Sequence, residues 1–433
     1  MLEVDPLIDD PETRIVVCCG AGGVGKTTTA AALGVRAAER GRKVVVLTID
    51  PARRLAQSMG LTELDNTPRR VKDVGGPAGG ELHAMMLDMK RTFDEIVESH
   101  TDPERARAIL ENPFYQSLSA GFAGTQEYMA MEKLGQLRAE GEWDLIVVDT
   151  PPSRSALDFL DAPKRLGSFL DGRFIRVLMA PAKAGGRAGL KFVNLGMTGL
   201  SMFTGTLNKL LGSGLLRDMQ TFVAAMDTMF GGFRTRADAT YRLLQAPGTA
   251  FLVVAAPERD ALREAAYFVE RLAADRMPLA GLVLNRMHGS EAVRLSAERA
   301  LAAAEILEDD GIVDHPGGKG GGERPASDTA APDSSASSEP GGSSAPPAAG
   351  SPAEGSPADG SPATAERLAA GMLRLHAERM HVLARERRMR DRFAALHPEV
   401  PVVEVAALPG DVHDLDGLRA IGERLAARHD ASA

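Results

Sequence analysis

The stretch from Val16 to Gly34, VVCCGAGGVGKTTTAAALG, restricts the fold more than any other part of the chain. A β-branched apolar run breaks into glycines and then resumes with helical periodicity. Within it Gly20 to Thr27, GAGGVGKT, fits G-x-x-x-x-G-K-[ST] between a strand and a helix, the context that pattern requires. Glycines let the backbone curl until its N–H groups converge on a phosphate chain. Lys26 is placed to reach the terminal phosphates and Thr27 to ligate Mg²⁺, while the helix N-terminus adds a favourable field. Gly20, Gly22, Gly23, Val24, Gly25, Lys26, Thr27 and Thr28 are therefore the expected nucleotide-binding residues.

Similar apolar runs recur along the chain: KVVVLTID, LIVVDTPP, FLVVAAPE, LAGLVLNR and VPVVEVAAL, with ELHAMMLD as a weaker seventh candidate. They are apolar throughout rather than alternating, as strands buried on both faces of a parallel sheet must be. Helical patterns separate several of them. The expected fold is α/β, a doubly wound and mostly parallel sheet of the P-loop type.

Two segments read as helix after helix without strand signals and predict an α-helical subdomain inserted into that core. The core is expected over residues 1–91, 139–156, 245–315 and 365–433, and the helical subdomain over 92–138 and 157–244. Between Met179 and Met229 the second helical segment carries six of the chain's 18 methionines and only two acidic residues, Asp218 and Asp227. Flexible thioethers among glycines suit a groove that accepts varied apolar shapes, so a hydrophobic client or a lipid is expected there. Residues 316–364 contain no aromatic residue and no Leu, Ile, Val or Met, and repeat GSPA three times. Such a stretch cannot bury enough apolar surface to offset chain entropy, and disorder is expected at the tip of a helical hairpin. The basic run Arg385 to Arg392 reads as a solvated helix face.

Composition excludes some functions. The 433 residues carry a formal net charge of -9, against nucleic-acid binding, which needs clustered Lys and Arg. No apolar run approaches the roughly 20 residues that span a bilayer. The acidic start, MLEVDPLIDDPETR, lacks a signal peptide's basic and apolar regions, so a cytoplasmic protein is expected. Only two cysteines exist, Cys18 and Cys19, adjacent in a strand and so pointing to opposite faces; a disulfide or shared metal site is not expected there.

Two strand-end carboxylates complete the chemistry. Asp149 ends LIVVD in the position of a carboxylate that holds Mg²⁺ directly or through water. Asp50 ends VVVLTID. Taken in order, GAGGVGKTT, TIDPARRL, VVDTPPS, AAPE, LNR and LPGDVHDL resemble the ArsA-type ATPases, which include arsenical-pump ATPases and ATPases that deliver tail-anchored membrane proteins. The resemblance covers the chain except its N-terminal tail and residues 316–364. It implies ATP as the nucleotide, with Mg²⁺, and a dimer that opens and closes a helical groove as ATP is hydrolysed, with transient membrane association possible. By resemblance, the DPA segment is switch I, with Asp50 orienting or activating the attacking water. DTPPS is switch II, Asn285 reads the adenine edge, and the loop with Pro409, Gly410 and Asp411 closes over the base.

The departures are informative. Arsenite-binding members use cysteines in the helical region, and this chain has none there. The C-x-x-C zinc site of many tail-anchored-protein ATPases is also missing, so no zinc is expected. The family's deviant Walker A, G-K-G-G-x-G-K-[ST], supplies a lysine across the dimer interface where this chain has Ala21. The reading that reconciles Ala21 with an otherwise complete site is a heterodimer with a paralogue that keeps the lysine, and the sequence resembles one member of the paired actinobacterial ArsA-like ATPases. The alternatives are a substitute arginine from Arg53, Arg54 or Arg154, or a nucleotide-binding scaffold with little turnover. A MinD/ParA-like positioning ATPase is the competing function.

Overall fold

The structure, a computed structural model, describes residues 2–50, 54–76, 78–112, 115–116, 126–151, 235–310 and 362–427. The Met-rich stretch from 179 to 229 and nearly all of the 316–364 stretch lie outside the described residues, as do Pro51 to Arg53 and Pro152 to Arg154. Among the described residues no helix is long and apolar enough to cross a membrane.

By the density of their contacts the residues divide into two units, Met1–Gly289 with Arg385–Ala433, and Ser290–Ala384. The first contains an eight-stranded sheet in the order β3-β4-β2-β5-β1-β6-β7-β8. The strands are β1 (Ile15–Gly20), β2 (Lys43–Thr48), β3 (Arg69–Arg70), β4 (Glu81–Met86), β5 (Leu145–Asp149), β6 (Thr249–Ala255), β7 (Leu279–Met287) and β8 (Val402–Ala406). All pair in parallel except β3, which runs antiparallel to β4. All seven strands expected from the sequence are present, and β3 was not foreseen.

Burial explains why the central strands carry uninterrupted apolar runs. Every residue of β1, β5 and β6 is buried, whereas β8 alternates between partly buried and buried positions. A fully buried Val or Leu contributes about 1.5–3 kcal/mol, so the centre of the sheet is also its most stabilising part. One apolar layer gathers Ile15, Val17, Val45, Leu47, Ile146 and Val148 with helical residues such as Ile96 and Leu134. The other gathers Val16, Val44, Val46, Leu145 and Val147 with Ala30, Leu33 and Leu418. Cys18 and Cys19 fall in opposite layers, both free, as the period of two requires.

On the second layer, α2 (Lys26–Glu39) buries an alanine-rich face and packs beside α10 (Leu415–Ala426). The other face carries α4 (Met89–His100), α5 (Pro103–Leu110), α6 (Gln126–Glu140) and α7 (Arg259–Ala274), with residues 235–245 also helical. A six-residue α1 (Val4–Asp9) precedes β1, and α3 (Arg54–Ser58) follows β2. In the second unit α8 (Ala297–Asp310) lies alongside the first part of α9 (Pro362–Leu396), around Ala297, Ala300 and Ala377. Arg385, Arg387, Arg388 and Arg392 are exposed, while Arg390 pairs with Glu404 of β8 at 2.5 Å.

At the end of the sheet opposite the phosphate loop, Arg42 binds the chain together. Its guanidinium donates to the carbonyls of Ile8, Asp10, Thr13 and Asp144, at 2.8, 3.1, 2.7 and 2.5 Å. These belong to the end of α1 with the turn that feeds β1, and to the turn that feeds β5, the two strands whose far ends carry the phosphate loop and Asp149. Arg42 is 9% exposed, so its removal strands carbonyls with little access to water. Arg42→Ala should lower stability by about 3 kcal/mol in urea denaturation. A loss below about 0.5 kcal/mol, the range of an ordinary surface substitution, would show that this clamp does not hold the strand starts.

Candidate functional site

The phosphate loop lies at the C-terminal end of β1, the central strand, where the chain's connections diverge to left and right. Open parallel sheets place their ligand crevice at such a switch point. Gly20 passes so close to β6 that a Cβ there would sit 2.1 Å from the Val254 carbonyl oxygen. Gly25, left-handed with φ of 96°, caps α2 without a side chain of its own. A Cβ at Gly25 would lie 2.2 Å from Asn285 Nδ2, which donates to the Val24 carbonyl at 2.9 Å. The loop is thus pinned by β6 at Gly20 and by an amide on β7 at Gly25. Gly22 and Gly23 are exposed, Thr28 is partly exposed on the first turn of α2, and Val24 and Ala21 are buried.

Lys26 is buried and donates from Nζ to the Ala21 carbonyl at 2.7 Å. Burial holds its pKa below the ordinary lysine value, opposed chiefly by the charge of Asp149 and, less strongly, by that of Asp50. The ammonium therefore sits under the loop, bonded to the loop's own backbone and within the field of both strand-end carboxylates.

Asp149 ends β5 and is fully buried. The parallel register sets it level with Thr48 of β2 and Cys18 of β1. Its Oδ2 accepts the hydroxyl of Thr27 at 2.7 Å and that of Thr48 at 2.9 Å. Its Oδ1 is buried and has no hydrogen-bond partner among the described residues. Burial pushes the pKa of Asp149 up to about 6, against the opposing pull of the two hydroxyls and Lys26. A hard divalent cation prefers oxygen donors, and the orphaned Oδ1, beside the Thr27 hydroxyl, is the donor set such an ion fits.

Asp50 is partly exposed just beyond β2, and its backbone N–H donates to Thr48 Oγ1 at 3.2 Å. The structure thus brings together the loop from Gly20 to Thr28 with Lys26, Asp50, Asp149 and Asn285. Pro409, Gly410 and Asp411 follow β8, the strand paired with the β7 that carries Asn285. They lie in the exposed loop after β8, on the same edge of the sheet but three strands from β1. Arg53 and Arg154 lie outside the described residues, and Arg54 opens α3.

Sequence reasoning passed over Thr48. Only part of the signal was present: strands of period two put residues 44, 46 and 48 on one face, but the pairing of Thr48 with Asp149 is set by sheet register. The face is the one covered by α2, from which Thr27 reaches the same carboxylate.

Among known proteins, ATPase GET3 of Malassezia globosa is 30% identical over 160 residues, 37% of this chain and 45% of that protein. A putative arsenical pump-driving ATPase of Prosthecochloris vibrioformis is 29% identical over 157 residues, 35% of this chain and 36% of that protein. ATPase GET3 of Podospora anserina is 24% identical over 302 residues, 68% of this chain and 80% of that protein. In the first two cases the chain spans less than half the length of the relative it matches. A family-level sequence model described as anion-transporting ATPase matches residues 13–300, from the turn before β1 into α8. That match covers well over half of the chain, which therefore belongs to the anion-transporting, or ArsA-type, ATPase family.

Proposed function

We propose that this chain binds ATP with Mg²⁺ and hydrolyses it, and that the cycle switches a dimer between states that hold and release a hydrophobic client. The single observation that supports this most is the division of labour on Asp149. One oxygen is fixed by two hydroxyls, and the other is buried without a partner beside the phosphate loop.

In this reading Thr27 and Asp149 hold the metal. When bound, the ion neutralises phosphate charge and orients the terminal phosphate. Lys26 exchanges the Ala21 carbonyl for phosphate oxygens, which its burial and its distance of 2.7 Å from that loop carbonyl make a short movement. Backbone N–H groups of the loop and the uncapped start of α2 receive the remaining phosphate oxygens. Asp50 orients and deprotonates the attacking water. Asn285 holds the loop through Val24 and presents the rest of its amide to the base, over which Pro409, Gly410 and Asp411 close.

Both thiols of the chain are inside the sheet. Burial raises the Cys18 pKa and pushes that of Cys19 up to about 12, so neither offers an arsenical a thiolate. The Met-rich segment then argues for an apolar peptide or a lipid as client. The partner subunit is a paralogue bearing lysine at the position of Ala21. Ala21 is packed into the apolar layer, and no cation leaves this loop toward a second site.

Three expected outcomes test the reading. Lys26→Ala should abolish tight ATP binding in calorimetry, whereas Asp50→Asn should keep the affinity within a few-fold and cut turnover by about 10²–10⁴. Tight binding to Lys26→Ala would sink the phosphate assignment, and unchanged turnover in Asp50→Asn would remove Asp50 from the chemistry.

The second concerns pH. The pKa of Asp149 is raised on folding, so stability is intact below its unfolded value of 3.8 and falls as pH rises through about 6. Free of metal and nucleotide, Asp149→Asn should therefore be more stable than wild type at pH 7.5 by about 2–3 kcal/mol, and the gain should shrink by pH 5. It should also lose Mg²⁺-dependent turnover. Equal stability at pH 7.5 in chemical denaturation would contradict a costly buried carboxylate.

In the third, the isolated chain should bind ATP and turn it over slowly. Mixing with a lysine-bearing paralogue should accelerate hydrolysis by up to the roughly 10³–10⁵ that a cation supplied in trans provides. If the isolated chain already runs at the mixed rate, the lysine is not missing in any functional sense.

A further inference from the structure

Thr48 lies outside the phosphate loop, yet its hydroxyl stands between the two carboxylate-bearing strand ends. It is the last residue of β2 and is 1% exposed. A hydroxyl has one proton to donate. Thr48 Oγ1 lies 2.9 Å from Asp149 Oδ2 and 3.3 Å from the Asp50 carbonyl, and the nearer, charged acceptor takes the proton. The lone pairs remain for the Asp50 backbone N–H, which approaches Oγ1 at 3.2 Å. One oxygen atom thus receives from the residue next to the reacting water and donates to the residue next to the metal.

The geometry has a directional consequence. Thr27 comes to Asp149 from α2, and Thr48 comes from the neighbouring strand in register with it. Both land on Oδ2, so the carboxylate cannot rotate about its last bond without breaking two hydrogen bonds. Oδ1 is left without a hydrogen-bond partner among the described residues. With Thr27 alone the group would keep one tether, on a helix that begins in the glycine loop itself. Thr48 supplies the tether from the sheet, which does not move with the loop.

We propose that Thr48 is a positioning residue for this ATPase, fixing the rotation of Asp149 and the backbone of Asp50 through a single hydroxyl. The proposal rests on the function argued above and adds a residue to it. The Thr48 hydroxyl is bonded to Asp149 and Asp50, so its effect runs through them.

The test compares Thr48→Val, which keeps the shape and removes the hydroxyl, with Thr48→Ser, which keeps the hydroxyl and removes the methyl. ATP affinity is measured by calorimetry with and without Mg²⁺, and turnover is measured alongside. Thr48→Val should bind ATP without Mg²⁺ within about threefold of wild type. The tightening by Mg²⁺ and the kcat should each fall about 10–100-fold, with KM for Mg-ATP rising in step with the lost tightening, the size usual for partners that orient a metal's ligands. Thr48→Ser should return both to within about threefold. If Thr48→Val proves too unstable to purify, Thr48→Ala is read the same way against Thr48→Ser.

A residue that only fills space gives the opposite pattern, with Thr48→Ser impaired and Thr48→Val close to wild type. That pattern, or a Thr48→Val protein with wild-type Mg²⁺ response and kcat, overturns the proposal while leaving the ATPase reading intact. Absence of ATP binding by the wild-type chain overturns both.

Discussion

A carboxylate withdrawn from water governs this site. Asp149 sits at the end of a strand whose every residue is buried, and its burial raises the pKa to about 6. Such a group is costly unless something compensates it. The chain supplies two hydroxyls and the field of one ammonium, and leaves one oxygen without a partner. That unmet acceptor dictates what surrounds it. The register of β2 and β5 must be kept so that Thr48 arrives level with it, and α2 must start close enough for Thr27 to reach it. The close passage of Gly20 over Val254 sets the start of that helix. Arg42, at the opposite end of the sheet, holds the turns that lead into β1 and β5. The fold is arranged to keep an unfavourable charge in one orientation.

Legibility in the sequence followed burial. The strands β1, β5 and β6 are buried on both faces and were plain as unbroken apolar runs. β4 alternates with partly buried positions, which made ELHAMMLD the weakest of the seven. β3 is two exposed arginines held by pairing to Ala84 and His83, and neither hydropathy nor propensity announces such a pair. The loop glycines, Lys26 and Thr27 were readable because phosphate binding fixes their spacing along the chain, and the two carboxylates because each closes an apolar strand run. Thr48 was not, because its role depends on a neighbour a hundred residues away, brought level by sheet register.

Asn285 illustrates how a resemblance and a geometry divide one side chain. The resemblance gave it to the base, and the structure shows one of its amide donors committed to Val24. Gly25 is the residue that makes room, since any Cβ there would meet the amide at 2.2 Å. An amide has donors and an acceptor to share, so bracing the loop and facing a ligand are compatible. The consequence is coupling: a shift of β7 would move the loop at the point where its backbone turns left-handed. With Asn285 of β7 on one side of β1 and Asp149 of β5 bonded to Thr27 on the other, the nucleotide site is tied to the sheet on both sides.

The same accounting bears on Ala21. Asp50 and Asp149 bring two negative charges to a pocket in which Lys26 is the family motif's one retained lysine. A nucleotide triphosphate adds more negative charge than one divalent cation removes, and hydrolysis concentrates that charge on the oxygens being cleaved. Burial strengthens every one of these terms relative to water. Lys26 cannot balance them alone, for burial already disfavours its charged form, and at rest it is bonded to the carbonyl of the residue that replaces the family's second lysine. In the reading proposed above, a lysine at position 21 acts across the dimer interface, so restoring it here serves the partner's site rather than this one. In the heterodimer proposed above, a cation supplied from outside the loop meets that shortage.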